Sequence, residues 1–290
     1  MSMKSTYNSK DNYNAKLRTQ SILIMIVCII LTIISLLPIW ILVCNATRTH
    51  MQISTGVSLI PSTHFLANYN NLMAKDVFKP FIGFKNSFII SACSTILSVF
   101  FSALTAYGLT VYDFKIREGA YSFILAVLMI PAQVSGVGFM NFMIKVDLYD
   151  TFVPLIVPAV AAPAVVFFMR QYLKSSFPLD IVEASRIDGC GEFRTFLQIG
   201  IPMMKPAIAV QAIFAFIQNW NNYFTPSMMI VTESKKTLPM MIKSLSSDRL
   251  ATDYGIIYSG IAISIIPLVV VYLILSRFII EGVALGGVKE

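Results

Sequence analysis

The chain alternates long apolar blocks with shorter polar segments, and the block lengths predict its elements. Residues 21–44 carry no charge at all, and similar blocks cover 86–111, 120–142, 151–169, 202–220 and 254–280. A helix needs about 20 apolar residues to cross the hydrocarbon core of a bilayer. The pattern therefore predicts an all-α polytopic membrane protein with six transmembrane helices, forming one domain over residues 1–290. A polar tail (1–20) precedes the first block, and it carries Lys4, Lys10, Lys16 and Arg18. A cleaved signal peptide is the rival reading of this start. Its apolar core is normally about 7–15 residues and ends at a small-residue site, whereas here the longer core runs into Asn45-Ala46-Thr47-Arg48.

Inside the blocks the pattern is uneven. Ser91, Thr95, Ser98, Ser102 and Thr105 recur at helical spacing in the second block. They form a stripe of small residues that lets another helix approach closely; a hydroxyl-lined pathway is the functional alternative. Pro131 sits mid-block in the third and predicts a kink, because it removes a backbone donor and crowds the preceding turn. The fourth block is marked by Pro154, Pro158 and Pro163.

Six spans that start inside the cell place both termini in the cytoplasm, together with the polar segment 170–205. Lys and Arg favour that side only slightly, so the basic N-terminus is the stronger argument. Composition agrees with the membrane reading. The 290 residues are 56% hydrophobic and 13% charged, and mean hydropathy is +0.73, against about a quarter charged in soluble domains. The net charge of +7 fits loops facing anionic headgroups; no basic patch interleaved with aromatics points to nucleic acid. Cys28, Cys44, Cys93 and Cys190 are scattered without a metal-like spacing.

Several functions are disfavoured by what the blocks lack. No acidic residue falls inside an apolar block, which removes the usual proton-coupling groups. Sodium can be held by carbonyls at broken helices, so an ion-coupled secondary carrier or channel stays as the alternative. His50 and His64 lie together in one loop, leaving no catalytic cluster or metal site for a membrane enzyme. No G-x-x-x-x-G-K-[ST] loop is present either. If ATP drives this chain, another polypeptide hydrolyses it.

The polar segment 170–205 has its own order. Pro178, with Asp180 and Glu183 after it, predicts a helix start. Residues 179–188 give two to three turns, and Gly189 suits the stop, where a left-handed residue is wanted. A second short helix over 192–198 follows, with Phe193, Phe196 and Leu197 on one side, before Pro202 and Pro206 break the chain. This is a helix–turn–helix tied to two spans.

The segment reads Glu183-Ala184-Ser185, three residues, Gly189, nine residues, Ile199, then Ile201-Pro202. It resembles the E-A-A signature loop of ATP-binding-cassette (ABC) importer permeases, with Ser185 in place of the third-position alanine and Ile201 in place of leucine. Asn86-Ser87, Trp220-Asn221-Asn222-Tyr223 and the terminal Gly286-Gly287-Val288-Lys289 are similar to the sugar-importing, maltose-type second permeases. The resemblance covers about residue 86 to the C-terminus. It implies the type I ABC importer permease fold with a cytoplasmic coupling helix, in a bacterial cytoplasmic membrane. It implies as partners a second homologous permease, two ATPase subunits and an extracytoplasmic sugar-binding protein, besides membrane lipid.

ATP and magnesium would be used by the ATPases, with no cofactor, metal or catalytic residue on this chain. Glu183, Ala184, Ser185, Arg186, Asp188, Gly189 and Phe193 would form the ATPase-coupling surface. Gln133, Asn141, Gln211, Gln218, Asn219, Asn221 and Asn222 are polar positions in or at the ends of spans that line a sugar pathway or, equally, hydrogen-bond between helices. Residues 220–223 also suit an aromatic belt at the membrane boundary.

Overall fold

The computed structural model describes residues 3–246 and 252–286; Gly287, Val288 and Lys289 of the terminal motif lie outside them. The described residues are helical and contain no strand. Four helices are long and apolar enough to cross a membrane, at 18–46, 80–111, 153–176 and 254–274, and six spans result if each of two bent helix pairs counts as one.

The chain divides into two compact units. One comprises Met1–Leu72 and Ala251–Ala262. Its helix Met3–Ala46 ends in a polar knot. The Arg48 guanidinium donates to Asn45 Oδ1 (3.1 Å), to Gly56 O (2.9 Å) and to Gln52 O. Asn68 Nδ2 donates to both Ala46 O and Arg48 O at 2.9 Å, and Ser259 Oγ donates to Ala46 O. The segment 49–85, read from sequence as a polar loop, contains the helices His50–Ser54 and Phe65–Met73. The first opens on a capping box in which Thr49 and Gln52 bond each other's backbone N–H, the T-x-x-Q form of a known start signal.

The second unit, Met73–Leu250 with Ile263–Glu290, is organised by the helix Pro80–Val111. It begins six residues before the predicted 86, because Pro80 at the first turn pre-sets the helical φ and Lys85 does not interrupt it. Its small-residue stripe is buried at Ser91, Thr95, Ser98 and Ser102, while Thr105 is exposed and bonds its own helix at Phe101 O. Ser94 and Ser102 donate to Leu155 O and Ala162 O of the proline-marked fourth segment. That segment runs as Val153–Ile156, a 3₁₀ turn Val157–Val160, and the helix Pro163–Ser176.

Three expected spans differ in shape from a straight helix. The third does more than kink at Pro131: Arg117–Leu128 and Gln133–Lys145 meet at 97°. The fourth continues past the predicted 169 to Ser176, so Arg170 is in a helix and not a loop. Its guanidinium is 2% exposed, donates to Glu118 Oε1 at 2.7 Å and lies 3.7 Å from the centre of the Tyr121 ring. The fifth, Lys205–Trp220, turns 78° from the preceding Glu192–Met203. Trp220, expected in an interfacial belt or a sugar contact, is buried, stacks on Phe216 and donates to Ser264 O.

At 1.5 Å per residue the central helix is about 48 Å long. Near its start, Asn86 Nδ2 donates to Ser234 O and Lys236 O, and Ser87 Oγ accepts from Leu238 N–H. Its far end, from Val99 to Tyr107, packs in one apolar cluster with Met169, Leu173, Val182, Phe196 and Met204. The segment 231–238 and the polar hairpin therefore sit at opposite ends of this helix.

Candidate functional site

The hairpin is built from two short helices and a tight turn. Leu179–Ile187 follows Pro178 as N-cap, with Asp180 in its first turn. Asp188 caps the C-terminus and Gly189 follows at φ +76°, a region that residues with a Cβ enter at a cost. Gly189 N–H bonds Arg186 O at 3.0 Å and Cys190 N–H bonds Ser185 O at 2.9 Å. This pair of bonds is a Schellman stop, as the sequence predicts. Gly191 then caps the second helix, Glu192–Thr195. The predicted helix 192–198 is shorter than expected: from Phe196 to Gly200 the backbone widens into a π-helical turn. A Cβ on Gly200 would stand 3.0 Å from the Tyr107 ring, so an alanine there would require the ring to give by a few tenths of an ångström.

Each predicted coupling residue has a defined place. Glu183, Ala184, Asp188 and Gly189 are exposed, and Phe193 is 60% exposed. Ile187, 87% exposed beside them, adds an apolar side chain that the sequence reading did not select. Ser185 turns inward, where its hydroxyl donates to Val182 O and meets Thr195 Oγ1 at 3.2 Å. Arg186 Nε donates to Glu192 Oε1 at 2.8 Å. Beneath them Val182 and Phe196 are buried against Tyr107 and Met169.

Glu192 also accepts from the Tyr112 hydroxyl at 2.7 Å. Burial, reinforced by this bond, pushes the Tyr112 hydroxyl up to about 12, so it stays a neutral donor throughout the physiological range. Arg186, and after it Tyr112, hold the Glu192 carboxyl below its usual range. Neither Tyr112 nor Glu192 was selected from sequence. An acidic residue directly after the Gly191 cap was the one available signal, and it predicts only a helix start.

The polar positions of the spans are scattered. Asn219 and Asn222 line one open cleft of about 200 Å³ with Ile90, Phe139, Pro154, Leu155, Pro158, Ala159, Thr225 and Pro226. Asn219 Nδ2 bonds Ala215 O, and Asn222 Oδ1 accepts from Thr225 N–H. Gln133, Asn141, Gln218 and Asn221 are exposed outside this cleft, and Gln211 is buried.

On the other face of the unit, Asp150 holds the segment after residue 230. Its carboxylate accepts from Val231 N–H, Thr232 N–H, the Thr232 hydroxyl and Lys235 Nζ. The Thr232 hydroxyl above all, with the two backbone N–H groups and Lys235, holds this carboxyl far below the usual carboxylate range.

Helices long and apolar enough to cross a membrane, no strand among the described residues and an exposed, glycine-stopped hairpin between two apolar segments fit a component of a membrane transport system. Residues 98–284 match the family of binding-protein-dependent transport system inner membrane components, and the chain belongs to that family. It is a permease subunit of an ABC importer, and the ion-coupled carrier is not favoured.

Among its relatives is the arabinooligosaccharides transport system permease protein AraQ of Halalkalibacterium halodurans, 35% identical over 236 residues, which cover 81% of this chain and 84% of that protein. The AraQ of Bacillus subtilis is 31% identical over 264 residues, 89% of this chain and 92% of the relative. The lactose transport system permease protein LacG of Rhizobium radiobacter is 29% identical over 256 residues, 88% and 92% of the two chains. The fold is shared with a chain in the crystal structure of a bacterial ABC transporter involved in the import of the acidic polysaccharide alginate. The TM-score is 0.73 at 21% identity, covering 90% of this chain and 96% of that one.

Proposed function

We propose that this chain is one of two permeases in a sugar importer, and that the hairpin 179–200 is its coupling element, seated in a cleft of a separate ATPase subunit. The observation that carries the reading is the division of the hairpin. Glu183, Ala184, Asp188, Gly189, Ile187 and Phe193 are exposed, while Ser185 ties the two hairpin helices together through Thr195 and Val182 and Phe196 fasten the hairpin to the spans. The exposed set combines carboxylates with two large apolar side chains, which suits a cleft with basic and apolar walls. Glu183 would pair with a basic group there, and Ser185 and Arg186 would keep the hairpin's shape rather than touch the partner.

The ATPases would supply ATP and magnesium chemistry, and this chain would perform none. Both termini would be cytoplasmic, with six spans formed when 117–145 crosses once and Lys205–Trp220 crosses after the hairpin. The segment 221–253 would then face outward, toward an extracytoplasmic binding protein. The span of about 39 Å from Asn86 to Tyr112, at 1.5 Å per residue, exceeds the hydrocarbon core of a bilayer and supports opposite sides for that segment and the hairpin.

A sugar, and an oligosaccharide in particular, is supported by the relatives named for arabinooligosaccharides and lactose, and by one named for starch degradation products at 26% identity. The cleft with Asn219 and Asn222 combines amides with proline and aromatic walls, the mixture that receives a hydroxyl-rich ring.

Glu183→Lys tests the reading. The variant is expected to reach the membrane in normal amount, while uptake of radiolabelled arabino-oligosaccharide or lactose into cells falls at least about tenfold, as for a buried charge pair turned repulsive. Normal uptake by this variant would contradict the coupling role. The sugar class is checked by which compound stimulates ATP hydrolysis in the purified complex. Stimulation by sn-glycerol 3-phosphate alone, the substrate in the name of a relative 27% identical, would replace sugar with a phosphorylated polyol.

A further inference from the structure

The hairpin continues covalently into the helices Pro163–Ser176 and Lys205–Trp220, but not into the central helix. Yet one carboxylate spans that gap. Glu192 Oε2 accepts from the Tyr112 hydroxyl at 2.7 Å, and Tyr112 is the residue that caps Pro80–Val111. Glu192 Oε1 accepts from Arg186 Nε at 2.8 Å, and Oε2 accepts from Nη2 at 3.2 Å. The Arg186 guanidinium in turn lies 5.6 Å from the centre of the Tyr112 ring. Three elements therefore meet at one carboxylate: the end of the central helix, the first hairpin helix through Arg186, and the start of the second.

Apolar packing lies directly beneath. Tyr107 contacts Phe196 at 5.2 Å and Tyr112 at 6.2 Å between ring centres. Packing alone resists compression but lets one surface slide over another; directional charge-assisted bonds fix the register.

We infer that Glu192, with Tyr112 and Arg186, is a positioning clamp that transfers displacement of the hairpin to the central helix. None of the three atoms needs to touch the ATPase or the transported molecule. The inference rests on the coupling role given to the hairpin above. It makes the bond between Tyr112 and Glu192 the place where motion enters the most deeply packed helix of the unit. The opposite end of that helix, through Asn86 and Ser87, holds the segment 234–238. Loss of the clamp would leave the hairpin seated while the central helix no longer follows it.

The test uses the complete complex, co-purified with its partner permease and ATPase, in a background lacking the native cysteines. Exposed Lys85, near the far end of the central helix, is replaced by cysteine as reporter. Its labelling rate by a water-soluble maleimide is compared with and without trapping by ATP, magnesium and vanadate. Trapping is expected to change the rate with Tyr112 and Glu192 present. In Tyr112→Phe and in Glu192→Gln the change should shrink about three- to tenfold, the scale of one charge-assisted bond, with the ATPase still bound.

The double variant should be no worse than the poorer single one, since both remove the same link. A merely structural role would alter yield or melting but not the dependence on trapping. An unchanged response in both variants with bound ATPase overturns the clamp and leaves hairpin docking intact. Retention of the ATPase by Gly189→Arg, or the absence of any trapping response with the clamp present, overturns the docking itself and the clamp with it.

Discussion

Arg170 shows how much a single residue can hide from a sequence. It follows an uncharged run, so it reads as the first residue of a loop. In the fold it is buried in a helix, with Glu118 bonded to Nη2 and the Tyr121 ring stacked beneath supplying part of what water would have supplied, while its Nε is left without a partner. Burying a guanidinium is tolerable when it is paired and stacked on an aromatic face, and costly once the partner is removed. Glu118 is 63% exposed, so solvent softens the loss. Glu118→Gln is expected to destabilise the purified protein by about 1–2 kcal/mol, seen as a lower melting temperature in detergent. Glu118→Gln combined with Arg170→Met should recover most of the loss, because no buried charge is then left unpaired. A double variant less stable than Glu118→Gln alone would refute this account. Gly189 is the contrary case: its left-handed φ and its place after a capped helix were both legible, since local backbone chemistry dictates them.

Among the elements, those defined by local signals were read from sequence and those defined by distant contacts were not. The apolar blocks, the buried serines of the central helix and the glycine stop of the hairpin all follow from spacing within a few turns. The π-helical turn at Phe196–Gly200 and the size of the bend at Pro131 follow from no such spacing, whereas the start of the central helix at Pro80 is itself a local proline signal, placed ahead of the apolar block.

The Asp150 staple is the clearest example, since its partners lie 81 to 85 residues further along the chain. Its folded carboxyl is depressed below the unfolded value of about 3.9. The stabilisation is therefore fully present above about pH 4 and lost as pH falls below that toward the folded value. Hydrogen exchange at Val231 and Thr232 is expected to stay slow relative to intrinsic rates from pH 5 to 8 and to lose protection below about pH 4. Asp150→Asn should show weakened protection throughout, with no acid-dependent step. A step near neutral pH in the parent protein would assign the staple to some other group.

For the whole molecule the telling residues are exposed polar ones. Gln133, Asn141 and Gln218 are exposed in or beside the apolar helices. An amide left facing hydrocarbon without a partner costs several kcal/mol. These positions are therefore expected to face an aqueous path or a second subunit once the complex forms. In contrast, the most apolar stretch of the 18–46 helix is 0% buried and carries no charge, as a lipid-facing surface requires. In a cysteine-free complex, Gln218→Cys should react with a water-soluble maleimide at least about tenfold faster than Ile29→Cys, because a thiol reacts as the thiolate and needs water beside it. Equal, slow reaction at both sites would place Gln218 in lipid or in a dry contact.

The central helix also sets a rule of timing. A rod of fixed length, gripped by Tyr112 at one tip and by Asn86 and Ser87 at the other, cannot shorten to absorb a half-stroke. It would tilt, slide or turn as one piece, so under the proposed coupling a movement begun at the hairpin would reach the segment 234–238 as part of the same event, and a gate at either tip would be unable to open in secret from its opposite number.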